Sequence, residues 1–307
     1  MRIVLPALLL ACAAPGHGGA AAAQSMAAAV HKDGCQLRID TASTNWIIRG
    51  YDPFGDSQPV GSYDLLFVND GDSECRFYPT FGTDQSSFGL RSDFGAPVPY
   101  TLIEQTDGYD ATPLGGRTIR RINNPPVVLP PRGQQMVRYI LSIDPDRLTG
   151  DGLFSQTLLV EAEQANGASL AQRQMTVGID VLPSAVMSLA GAFTRVKGRA
   201  DVDLGELTEG IAKVPLHLNV QSTRAFRLAI ESQNEGKLRL AGTQWAVPYQ
   251  ILIDGRVATA NSERGYVSDN RPGRRTATLP IGFVIGDVRQ KRAGVYSDVV
   301  TISVAVD

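Results

Sequence analysis

The chain has 307 residues, 43% of them hydrophobic and 20% charged, with a net charge of −2. Those proportions exclude a disordered or fibrous polymer, and the near-neutral balance gives no electrostatic reason to expect nucleic acid or an anionic membrane as a partner. The length leaves room for two domains of ordinary size. At the N-terminus, Met1-Arg2 is a minimal positive start, Ile3 to Leu10 an apolar run, and Ala20 to Ala23 small residues fit for cleavage before Gln24. This is the pattern of a signal peptide over residues 1–23. The run is too short for a transmembrane helix, which needs roughly 20 apolar residues. Leu9-Leu10-Ala11-Cys12 offers a lipoprotein alternative with an anchor on Cys12, although Leu10 fits that box poorly.

Without the leader two cysteines remain, Cys35 and Cys75. An even pair in an exported chain reads as one disulfide. It closes a loop of about 40 residues and contributes roughly 4 kcal/mol in the chain-entropy model. Past Cys35 the apolar residues alternate in short bursts: Tyr63, Leu65 and Phe67; Cys75 to Phe81; Val137 to Ile143; then Met175, Val177, Ile179 and Val181. After Leu182-Pro183-Ser184, where proline interrupts the pattern, come Leu216 to Val220, Phe226 to Ile230, Val247 to Ile253 and Leu279 to Ile285. Period-2 alternation, frequent Gly and Asp turns, and the lack of a sustained helical period predict an all-β protein. The expected architecture is two tandem antiparallel immunoglobulin-like β-sandwiches, residues 24–182 and 183–307.

Two matched segments point to duplication. Asp151-Gly-Leu-Phe154-Ser155 through Val160 matches Ala293-Gly-Val-Tyr296-Ser297 through Ile302 at an offset of 142. Gly89-Leu-Arg with Val98-Pro99-Tyr100 matches Gly236-Lys-Leu-Arg with Val247-Pro248-Tyr249, the two tyrosines lying 149 apart. The copies end differently. After the first, an Asn166-Gly167 turn leads into the run Met175 to Val181; after the second, Val300, Ile302, Val304 and Val306 alternate and only Asp307 follows. The C-terminal sandwich is therefore expected to lack a strand, with those four residues as a strand-acceptor edge.

No serine-nucleophile elbow, HExxH or phosphate-binding glycine loop occurs, and histidine is nearly absent, so neither an enzyme nor a cofactor is expected. His217 lies in a strand pattern whose leucine neighbours take the other face. The acidic stretch Asn69 to Glu74 lacks the glycine position and distal glutamate of a calcium loop and reads as a turn. Arg271, Arg274 and Arg275 interleave with Pro272 and Gly273 and read as a solvated loop. Thr83 to Pro97 and Asp107 to Pro130 are long loops whose aromatics Phe88, Phe94 and Tyr109 are candidate adhesive contacts.

Cys35 followed by Gly50-Tyr51-Asp52-Pro53, with the closing Gly294-Val-Tyr296-Ser297-Asp298 and its Val/Ile/Thr strand, resembles the spore coat protein U domain. That family comprises exported β-sandwich subunits, many of them pilins of archaic chaperone–usher systems. The resemblance implies a periplasmic chaperone, an outer-membrane usher and an adjacent pilin subunit donating a strand as partners. It also implies passage through the periplasm to a surface fimbrium, and cell adhesion through an unidentified surface or host receptor. Two-domain members resemble tip adhesins. A shaft or minor subunit is the alternative, and would need a donor strand before Cys35, where Met26, Ala28 and Val30 offer only small plugs. A free secreted lectin-like binding protein is the alternative outside assembly.

Overall fold

The computed structural model describes residues 34–83, 87–93, 95–113, 125–261, 265–269 and 273–306. The leader, Cys12, the segment Met26 to Val30, Phe94 and Arg271 lie outside them. The first half contains β1 (Leu37–Asp40), β2 (Asn45–Tyr51), β3 (Val60–Asn69), β4 (Cys75–Thr83), β5 (Tyr100–Glu104), β6 (Val127–Leu129), β7 (Gln134–Ile143), β8 (Gly152–Glu163) and β9 (Ser169–Val181). They build two facing sheets, in the orders β1-β3-β7-β5 and β2-β9-β8-β4-β6. Inward residues alternate with outward ones, as period 2 demands. Phe154, Gln156, Leu158, Val160 and Ala162 of β8 all point inward.

The core between these sheets is aromatic. Trp46 stacks on Tyr63 at 5.2 Å, Phe67 meets Phe77 at 4.9 Å, and Phe81 meets Tyr139 edge-on at 5.0 Å. Cys35 and Cys75 are disulfide-bonded with Cα atoms 5.1 Å apart, tying the approach to β1 in one sheet to the start of β4 in the other. The turn after β3 is ordered by buried Asn69, which donates to the carbonyls of Ser73 and Pro130 and accepts from the amide of Gly71. Pro79 sits inside β4, beyond the point where β6 stops pairing with it at Phe77, so its missing N–H leaves no gap in that ladder.

The second half contains β10 (Ala185–Gly191), β11 (Thr194–Val196), β12 (Arg199–Asp201), β13 (Gly210–Ile211), β14 (Leu216–Ser222), β15 (Phe226–Ser232), β16 (Lys237–Leu240), β17 (Ala246–Ile253), β18 (Arg256–Ala258), β19 (Tyr266–Val267), β20 (Arg275–Ile285), β21 (Tyr296–Ser297) and β22 (Val300–Val306). One sheet runs β10-β14-β20-β17-β16-β21 and the facing one β19-β15-β22; β11 and β12 form a separate exposed hairpin. Hydrophobic side chains gather in a second, largely aliphatic core spanning Leu216 to Ile285.

The duplication is visible in strand register. Phe81 faces Val160 across β4 and β8, and Ile230 faces Ile302 across β15 and β22. Tyr100 faces Ile143 across β5 and β7, and Tyr249 faces Ile285 across β17 and β20. Each pair preserves the offsets of 149 on one strand and 142 on its partner. One pairing differs from the wholly antiparallel expectation: β2 runs parallel to β9. The short link Thr41 to Thr44 carries the chain from one sheet into the other instead of back along β1, so β2 meets β9 running the same way.

Candidate strand-acceptor edge

The final strand, β22, turns Val300, Ile302, Val304 and Val306 toward the core and Thr301, Ser303 and Ala305 to solvent. Its ladder to β15 runs from Phe226↔Val306 to Ser232↔Val300. Its other edge has no strand partner among the described residues. Burial records the consequence. The inward Phe226, Leu228 and Ile230 of β15 are at most 1% exposed, whereas the inward residues of β22 are only half-buried, although Val300, Ile302 and Val304 pack on the same core. In the first sandwich the corresponding strand is β8, and its Leu158, Val160 and Ala162 are fully buried. The difference is β9, which pairs with β8 along its length and buries Met175, Val177, Ile179 and Val181.

Across the gap from β22 lies β10, an edge of the facing sheet that approaches it. Met187 pairs with Val220 there, as Ile39 pairs with Phe67 in the first sandwich. Ile39 is 3% exposed and Met187 is 37% exposed. The two strands bordering the gap carry no charged residue over Ala185–Gly191 or Val300–Val306. Other edges are guarded: Arg38 and Asp40 on β1, Arg49 on β2. An uncharged, unpaired edge beside half-covered valines is a template for strand addition.

The entry to β22 is clamped by Asp298. One carboxylate oxygen accepts from the Tyr249 hydroxyl at 2.7 Å and the Ser232 hydroxyl at 2.6 Å. The other accepts the amides of Asn234 at 3.0 Å and Val299 at 2.8 Å. Burial, reinforced by the bond to Asp298, pushes the Tyr249 phenol well above its ordinary range. The first sandwich has a neutral counterpart, where Tyr100 donates to Gln156 Oε1 at 3.0 Å. Asp298 lies in the closing motif, but its neighbours in sequence do not reveal this role. Aligning Tyr100 with Tyr249 and Gln156 with Asp298 at the repeat offsets would have found it.

The other residues singled out in sequence scatter. Phe88 is half-buried, its ring 4.7 Å from Tyr100. Tyr109 packs against the first core, so neither ring is a free loop tip. Arg274 is an exposed loop residue whose guanidinium lies 5.3 Å from the ring centre of Phe54 and whose amide donates to the Thr149 carbonyl. Beside this contact Arg224 is ion-paired with Asp151, and Leu182 donates to the Tyr51 carbonyl at 2.8 Å, so the joint around Pro183 is bonded from both halves. His217 lies on the outer face of β14 between buried Leu216 and Leu218. Among the described residues no cluster of His, Cys, Asp or Glu is arranged to hold a metal.

No family model matches the chain. No curated protein matches it either. Among solved structures it is similar to a chain of the CsuC–CsuE chaperone–tip adhesion subunit pre-assembly complex from the archaic chaperone–usher Csu pili of Acinetobacter baumannii, at 12% identity and a TM-score of 0.45, covering 87% of this chain and 99% of that one. It is similar to the CupB6 tip adhesin from Pseudomonas aeruginosa, at 11% identity and 0.36, covering 88% and 94%. It is also similar to CfaE, the adhesive subunit of CFA/I fimbria of enterotoxigenic Escherichia coli, at 10% identity and 0.35, covering 86% and 93%. Scores this low describe a loose likeness of strand arrangement and say nothing of activity.

Proposed function

We propose that this chain is an exported, non-enzymatic subunit of a surface pilus, assembled when a strand from another chain completes its second sandwich. The observation that carries this reading is the asymmetry of the two copies. The first is filled by its own β9, while β22 in the second has a bare edge and inward side chains only half covered. Exposed apolar residues beside unpaired backbone groups are an aggregation hazard, and pairing with a donated strand removes both at once. The natural partners are a periplasmic chaperone that holds the open sandwich, an outer-membrane usher, and an adjacent subunit that donates the strand. The boundary between halves is placed at Leu182-Pro183, and residues 1–23 are taken as a cleaved leader.

A closed sandwich preceding an open one suits the tip of a fibre. The first half needs nothing from a neighbour and is free to meet a receptor, while the second accepts the shaft. The alternating residues Met26, Ala28 and Val30 ahead of Cys35 are small plugs and would make a weak donor. Antibody against residues 34–182 should label fibre ends alone, and deletion of residues 26–30 should leave assembly intact. Label along the shaft, or loss of fibres on that deletion, would make this a shaft subunit.

A further inference from the structure

Away from the open groove, the first sandwich has a cleft of about 280 Å³ between its edge strands β5 and β6. Its walls are unusual for an edge. Tyr78 of β4, Tyr139 of β7 and Tyr109 of the turn after β5 line it, with Met136, itself 59% exposed, at the mouth. Glu104 ends β5 at an inward position directly opposite Tyr139. It is 8% exposed, and its two oxygens accept the amides of Thr106 at 2.8 Å and Asp107 at 2.7 Å. No cation pairs with it among the described residues. Asp107 adds a second carboxylate at the rim, and no Lys, Arg or His lies on the described walls.

The two amides offset part of the cost of burying this carboxylate, and a positive charge in the cleft would offset more. Tyrosine faces attract a cation that carries its own apolar skirt. Burial, with Glu104 and Tyr109 nearby, holds the Tyr139 phenol far above its ordinary range, so that ring stays neutral. The volume lies at the small end for ligand sites, enough for a head group and no more. We propose that this cleft binds an alkylammonium group, with Glu104 as its counter-ion and the tyrosines as its cage. That would give the first sandwich a receptor chemistry, a choline-type head group.

The test uses the full mature chain. Choline chloride is titrated by calorimetry beside 3,3-dimethylbutan-1-ol, its uncharged carbon analogue. Choline is expected to bind with a dissociation constant on the order of 1 mM and the neutral analogue about tenfold more weakly. Glu104→Gln should lose about tenfold for choline, and the exposed Asp107→Asn a smaller factor, each measured below its unfolding temperature with Trp46 emission unchanged. Phosphocholine vesicles should bind the chain, and polylysine bound in preference to them would overturn the choline-type assignment. Equal binding of the analogue, no choline binding at 100 mM, or a monosaccharide bound better than choline would overturn the proposal. So would a folded Glu104→Gln whose only change is self-association, which would mark Glu104 as a guard of the β5 edge.

Discussion

Single residues decide how firmly β22 is held. Asp298 gathers two hydroxyls and two amides at the point where the chain enters the strand. Asp298→Ala would leave buried Tyr249 and Ser232 without their acceptor, which costs about 1–3 kcal/mol per orphaned group. Urea unfolding should show the second half weakened by about 2–4 kcal/mol and the first half, reported by buried Trp46, unaffected. Asp298→Asn, which keeps an acceptor, should lose less. Alkali tests the aromatic core of the first half. Burial raises the Tyr63 phenol to about 12 from an ordinary 10.0, against the opposing charge of Arg49, and Tyr100 and Tyr139 are raised further by burial. An unfolded chain gives up these protons near pH 10 while the folded one keeps them. The contribution is therefore whole below pH 10 and is lost as pH rises to 12 and beyond. Trp46, stacked on Tyr63, should hold its emission to pH 10 and lose it above. Tyr63→Phe should make that loss shallower between 10 and 12 and leave the part that Tyr100 and Tyr139 contribute.

At the scale of elements, β9 separates the two copies. It lies between β8 and β2 so closely that a Cβ on Gly178 would come within 2.3 Å of the Phe154 carbonyl oxygen and 3.1 Å of Ile47. Gly178→Val should cost the first sandwich about 1–3 kcal/mol or more through overpacking, read as an earlier loss of Trp46 burial on heating, with the second half unmoved. Much of this layer was legible in sequence. The offsets of 142 and 149 recur in the ladders because strand pairing follows the same alternation that the sequence displays. The disulfide followed from two cysteines with no other partner. What was hidden depends on contacts distant in sequence. The parallel β2–β9 pairing turns on where a short link crosses between sheets. Phe88 and Tyr109 are loop aromatics, and nothing local reveals that their rings also pack on Tyr100 and the first core. The contact of exposed Arg274 with Phe54 was hidden because the two lie far apart in the chain.

For the whole molecule, the two halves are one design used twice with opposite outcomes, one sheet closed and one open. Thr149 and Asp151 of the first half are bonded to Arg274 and Arg224 of the second, so the two halves are joined directly. The central claim is that the second sandwich is unfilled at β22, and hydrogen exchange on the monomeric full-length mature chain tests it most directly, with β8 as an internal standard paired on both edges. Alternate amides of Val300–Val306, those pointing away from β15, should exchange as fast as unstructured peptide while β8 stays protected throughout, and a strand-donating peptide should slow them. Equal protection of β22 and β8 in the lone monomer would contradict the account.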